Sequence, residues 1–226
     1  MTGYLGLVWT IARKDLLVEM RTRERLSAMA AFAVLVPVLF NFAIDTGQVR
    51  PQVIAAGLIW MTIIFSALLG LGRTFQMEHK DSALAGIIQS PIPLDALFLG
   101  KVTANFVLLM IIVTLVFIVF GLFFGLRFTG GSLTLAGVVT LGVLGLVSMT
   151  TLLSAIAARS TMGESLLPVL VFPLVVPVII YGATATDRLL AGRPVVEVSG
   201  NLRMLAAFAL VFLVAGAVLF PFVIEE

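Results

Sequence analysis

The sequence predicts an all-α, polytopic membrane protein with six transmembrane helices. An N-terminal amphipathic helix in the interface and a short helix on a cytoplasmic segment complete the expected fold. Three observations predict it. First, the 226 residues are 61% hydrophobic and only 12% charged, where soluble domains run near roughly 45–50% and about 25%; mean hydropathy is +1.18. Second, six charge-free runs follow one another along the chain. Third, a single long polar stretch, 73–101, interrupts them between the second and third runs.

The charge-free runs cover 26–44, 51–72, 102–126, 128–158, 165–186 and 204–224. Roughly 20 apolar residues cross a bilayer core as a helix, so each run supplies one span. The fourth is too short for two spans and a turn, and Thr129-Gly130-Gly131-Ser132 reads as a loop. The expected spans are therefore about 26–44, 52–72, 102–126, 133–157, 165–184 and 204–224, within one transmembrane domain over 1–226. No cleavable leader is expected, because no small-residue cleavage site follows the first apolar run.

An even number of spans puts both termini on one side, and the Lys/Arg bias says which. With the N-terminus inside, the inner segments hold Arg13, Lys14, Arg21, Arg23, Arg25, Arg73, Lys80, Lys101 and Arg159. The outer ones hold Arg50, Arg127, Arg188, Arg193 and Arg203. Both termini and the segment 73–101 are thus expected in the cytoplasm.

Residues 3–25 read as an amphipathic helix. At 100° per residue Leu5, Trp9, Ala12, Leu16 and Met20 form a stripe, with Lys14, Arg21 and Arg25 roughly opposite. Trp9 on the apolar side and basic residues on the other suit a helix lying on the bilayer; a helix packed on a partner is the alternative. Among the spans, Gly121-x-x-x-Gly125, Gly142-x-x-Gly145 and Ser154-x-x-x-Ala158 are small-residue patterns that suit close packing, expected within the subunit. Pro168, Pro173 and Pro177 crowd the fifth span and make it a candidate hinge or a fixed kink. The link 184–203 reads either as a short element returning to the outer interface or as an unstructured loop.

The missing chemistry narrows the function. There is no Cys, which removes disulfides, thiolate metal sites and Cys nucleophiles. The only His, His79, falls in the polar segment, so no Ser/His/Asp triad is expected, and Glu78, His79 and Asp81 match no familiar metal spacing. The nine Met residues are scattered and read as core filler, with a Met haem ligand among them left open. No ionisable group lies inside an expected span, which argues against an autonomous proton-coupled carrier. No G-x-x-x-x-G-K-[ST] is present, and a net charge of +2 gives no case for nucleic acid. Asn41, Asn105, Ser148, Thr151 and Tyr181 are candidate polar lining, more in keeping with helix-packing hydrogen bonds. A membrane chain without its own energy source therefore presents an elaborate polar segment, where work is expected to enter from outside the chain.

That segment resembles type 2 ABC exporter permeases. The resemblance rests on Phe75 and Glu78 in an F-x-x-E pattern, Leu84, Ser90-Pro91, and Gly100-Lys101 leading into the third span. It implies a coupling helix over 82–89, starting at Ser82, that sits in a groove of a separate ATPase. Leu84, Ile87 and Ile88, at i, i+3 and i+4, give it an apolar face suited to a groove. Lys14-Asp15-Leu16-Leu17 with Glu19, Arg21, Arg23, Glu24 and Arg25 is similar to the opening of the haem exporter protein B family of cytochrome c maturation. Leu69-Gly70-Leu71-Gly72-Arg73, Glu164-Ser165-Leu166-Leu167-Pro168 and the tail Phe222-Val223-Ile224-Glu225-Glu226 also look like that family.

The resemblance implies a permease subunit in the bacterial inner membrane, itself not an enzyme, driven by ATP hydrolysis on a partner in two copies. A permease homodimer, further haem-handling membrane proteins and an outer-face haem chaperone are implied as well. Haem is implied as cargo, with no covalently bound cofactor. A type 2 permease for a drug, lipid or polysaccharide precursor, or a non-transporting scaffold for haem-handling factors, are the alternatives.

Overall fold

A computed structural model describes residues 3–44, 51–72, 74–75, 93–126, 131–158 and 163–225. Among these there is no strand. The helices are α1 (Tyr4–Thr22), α2 (Glu24–Ala43), α3 (Pro51–Leu71), α4 (Leu94–Phe124), α5 (Ser132–Ala158), α6 (Gly163–Leu190) and α7 (Ser199–Glu225). A turn of 3-10 helix, Val195–Val198, lies between α6 and α7. Six helices are long and apolar enough to cross a membrane, so the chain is a multi-pass membrane protein.

Local sequence explains the boundaries. Between α1 and α2 the backbone turns at Arg23, which takes a left-handed φ of 55°, a conformation L-residues adopt at a cost. Pro93 precedes α4 and Asp95 sits in its first turn, an acid placed favourably against the helix dipole. The helix therefore starts at Leu94, ahead of the span start expected at 102. Residues 94–101 thus belong to a helix rather than to the polar segment. At 31 residues α4 is roughly 46 Å long, well beyond a hydrocarbon core of roughly 30 Å.

The fifth span also runs longer than expected. Pro168, Pro173 and Pro177 all lie inside the continuous α6, which ends in a Schellman motif. Gly192 has φ +72°, its N–H donates to Leu189 O at 3.1 Å, and the Arg193 N–H donates to Arg188 O at 2.9 Å, the paired bonds that satisfy terminal carbonyls. Most of the 184–203 link is thereby helical. Arg188 Nη1 donates to Glu197 O at 2.7 Å, tying the end of α6 to the 3-10 turn.

The core is built on α5, which packs against α7, α6, α4 and α3, whereas α2 rests on α3 and α4 at the side. Trp60 on α3 is its central wedge. The indole lies against Gly142 of α5 and Gly182 of α6, where a Cβ would collide with the ring. Its Nε1–H donates to Thr186 Oγ1 at 2.9 Å, so the polar edge is satisfied in a place without water. A Cβ at Gly145 would meet Phe208 of α7 at 2.6 Å. The Gly142 and Gly145 pattern thus serves packing within the chain, as expected of it.

Candidate functional site

The polar chemistry gathers at one end of the bundle, around the first three turns of α4. Helix α1 lies along α4, admitted by Gly100: a Cβ there would stand 2.7 Å from the Ile11 side chain and 3.1 Å from Val8 O. Across this seam Lys101 Nζ pairs with Asp15 Oδ2 at 2.9 Å, and Lys14 Nζ approaches Asp15 Oδ1 at 3.2 Å. Lys101 is only 3% exposed. An ammonium removed from water needs such a partner, because desolvation costs several kcal/mol per ion. One end of the seam is closed by Tyr4, whose Oη–H donates to Asp95 Oδ2 at 2.7 Å. Burial, then the hydrogen bond and charge of Asp95, push the Tyr4 hydroxyl up to about 12.

Lys101 also reaches the chain leaving α3, with its Nζ 5.5 Å from the centroid of the Phe75 ring, within cation–π range. Phe75 is buried and packs on Phe220 of α7 at 5.5 Å between centroids. Phe98 also meets Phe220 at 5.5 Å between centroids.

One turn along α4, Asn105 (1% exposed) forms a second layer. Its Nδ2 donates to Thr74 Oγ1 at 3.1 Å and to Thr151 Oγ1 of α5 at 3.0 Å, while Oδ1 accepts from Arg25 Nη1 at 3.5 Å. Thr74 Oγ1 in turn donates to Leu71 O at 2.6 Å. An amide with both donors and its acceptor engaged can be buried without penalty.

The corner between α1 and α2 belongs to the same cluster. Glu19, 3% exposed, uses both carboxylate oxygens. Oε2 accepts from Arg25 Nε at 2.7 Å, and Oε1 accepts the Leu26 N–H at 2.9 Å. It thus caps a free amide in the first turn of α2, where negative charge is favoured.

The expected interfacial residues divide between two faces of α1. Leu5 (80%), Met20 (68%) and Trp9 (57%) lie exposed on the outside of the bundle, and Lys14 and Arg21 are exposed too. Ala12, read as part of the same stripe, is instead buried together with Ile11, since the packing face is centred on Ile11, Asp15 and Glu19. Asp15 and Arg25 face the cluster. Of the expected coupling residues Phe75 is placed in it, whereas Glu78, Ser82, Leu84, Ile87, Ile88, Ser90 and Pro91 lie outside the described residues, as does His79. Among the polar lining candidates Asn105 and Thr151 bond to each other, and Ser148 Oγ donates to Leu144 O at 2.8 Å.

Sequence reasoning gave no role to Tyr4, Thr74 or Asp95 and did not foresee Glu19 buried. The available signal was the i, i+4 spacing of Asp15 and Glu19, which puts two acids side by side on one face of α1.

Away from Lys101, α4 and α5 flank an open apolar groove of about 390 Å³, walled by Met110, Phe117, Ile118, Leu135 and Val139. Among the described residues no three His, Cys, Asp or Glu come together as a metal site.

Residues 6–225 match the family described as CcmB protein. Heme exporter protein B of Pseudomonas aeruginosa is 30% identical over 201 residues, covering 87% of this chain and 86% of that one. Heme exporter protein B of Escherichia coli strain K12 is 32% identical over 221 residues, covering 96% and 94%. The Bradyrhizobium diazoefficiens protein of the same name is 28% identical over 220 residues, covering 96% and 94%.

Proposed function

Because the chain belongs to the CcmB protein family, we propose that it is the membrane permease subunit of an ABC complex acting in haem export or haem-chaperone release during c-type cytochrome maturation. ATP is hydrolysed on a separate subunit, present in two copies, that bears on the segment between α3 and α4 through the coupling residues Phe75, Glu78, Ser82, Leu84, Ile87, Ile88, Ser90 and Pro91. The observation that carries this reading is the polar cluster around Lys101 and Asn105. It grips the chain on both flanks of residues 76–92, at Thr74 and Phe75 before them and at Asp95 after them. The α4 residues that hold Thr74 and Phe75 are themselves tied to α1 and α5, a support for work entering at that link, and the sequence carries no G-x-x-x-x-G-K-[ST] pattern.

The same reading puts both termini in the cytoplasm of a bacterial inner membrane, with α1 lying in the inner interface on its Leu5, Trp9 and Met20 side. It also carries a permease homodimer, haem-handling membrane partners and an outer-face haem chaperone, with haem as cargo. The prolines of α6 would serve as its hinge.

The test is deletion of the gene with haem staining of c-type cytochromes, together with co-purification of an ATPase on the tagged chain. Loss of mature cytochromes, restored by the gene but not beside a hydrolysis-dead ATPase, is the expected result. Normal cytochromes in the deletion strain would remove the haem assignment. Full function beside the dead ATPase would leave only a scaffold.

A further inference from the structure

We infer that Asp15 and Lys101 are positioning residues whose ion pair latches α1 to α4, so that α1 moves with both flanks of the 76–92 segment. The inference rests on the functional reading above, in which that segment takes the load, and adds the route by which load reaches the bundle.

Three independent features meet at this pair. The first is attachment. Helix α1 lies against α4 and meets α2 at their corner through Glu19, Arg25 and Leu26, where the chain turns at the left-handed Arg23. Leu5, Trp9 and Met20 on its outer side are exposed. It is therefore fastened to α4 along one face and to α2 at the corner that Glu19 braces. The second is convergence. Lys101 holds Asp15 on α1 at 2.9 Å and lies over Phe75, the last described residue before the segment. Tyr4 of α1 holds Asp95 at 2.7 Å, two residues after Pro93, on the other flank of that segment. Both flanks and α1 thus share the first turns of α4. The third is chemistry. A buried ion pair is seldom the most stable filling for its space, and neutral residues of similar volume often serve stability as well or better. What the pair supplies is a fixed register, because α1 cannot slide along α4 without separating two desolvated charges. Gly100, next to Lys101, brings the two helices into direct contact beside the pair.

The pair Asp15→Asn/Lys101→Met separates register from stability, since it removes the two charges of the buried ion pair together. It is examined in membranes with the ATPase and the remaining partners present, using haem as the added cargo. We expect the double variant to insert, to keep its thermal midpoint and to co-purify with the ATPase at the unmodified yield. Mature c-type cytochrome per ATP hydrolysed should fall at least tenfold, while Lys101→Arg stays within twofold of the unmodified chain. A double variant that couples as the unmodified chain does would reduce the pair to a structural contact and overturn the inference.

Should the double variant be lost from the membrane, Asp15→Glu decides. It keeps the charge but lengthens the tie, so cytochrome yield per ATP should drop several-fold with ATPase binding intact; unchanged yield overturns the latch. An unmodified chain that retains no ATPase would instead overturn the functional reading, a result distinct from any change in coupling.

Discussion

Glu19 does two jobs at the α1–α2 corner, accepting from Arg25 with one oxygen and from the Leu26 amide with the other. Glu19→Gln keeps the shape and an acceptor for the amide but removes the charge facing Arg25. Hydrogen bonds to charged groups contribute about 1.5–3 kcal/mol, so the variant should lower the thermal midpoint in detergent, and Glu19→Ala, which also frees the amide, should lower it further. Tyr4 offers a second residue-level test. Its raised folded value means that its contribution is fully present below the ordinary value near 10 and is lost as the pH rises through about 12. The chain has two Tyr, so ultraviolet titration of the folded protein should show one phenol ionising near 12, moved back toward the ordinary range by Asp95→Asn.

Among the elements, the α1–α4 seam depends on the missing side chain at Gly100. A Gly100→Val variant would drive a branched side chain into Ile11 and Val8 O, and α1 would have to lift. Proteolysis near Arg13 and Lys14 should then become much faster, while insertion of the six apolar helices, set by their own hydrophobicity, stays unchanged. An equal cleavage rate in variant and unmodified chain would show that α1 does not lie on α4. The same seam explains what could be read beforehand. The amphipathic period of α1 was visible, but its apolar stripe marks the exposed side, and the packed side carries Asp15 and Glu19. Periodicity ranks faces by hydrophobicity; it has no knowledge that Lys101, far along the chain, will meet an acid there.

For the whole molecule, Trp60 is the point where α3, α5 and α6 are locked together. Trp60→Ala would empty the space between Gly142 and Gly182 and leave Thr186 without its donor. Large-to-small core changes of this size cost about 3–5 kcal/mol, enough to remove most of the folded population in a detergent unfolding assay. Trp60→Phe, which fills most of the volume but cannot donate, should cost far less, with a hydrogen-bond share of about 0.6–1.7 kcal/mol inside a membrane protein.

The six apolar helices follow from the order of residues alone, because the free energy of placing a segment in lipid is a sum over neighbouring residues and needs no knowledge of the rest. The stop at Gly192 and the start after Pro93 have equally local causes, yet the spans expected from the charge-free runs placed those boundaries at 184 and 102, because charge alone does not mark where a helix begins or ends. The packing of the helices is what buries Lys101, pairs it with Asp15 and joins Asn105 to Thr74, Thr151 and Arg25 in one layer. The physical reason is that a buried polar group is tolerated only where its partners converge, and those partners come from α1, α2, α4, α5 and the end of α3, brought together by the fold alone.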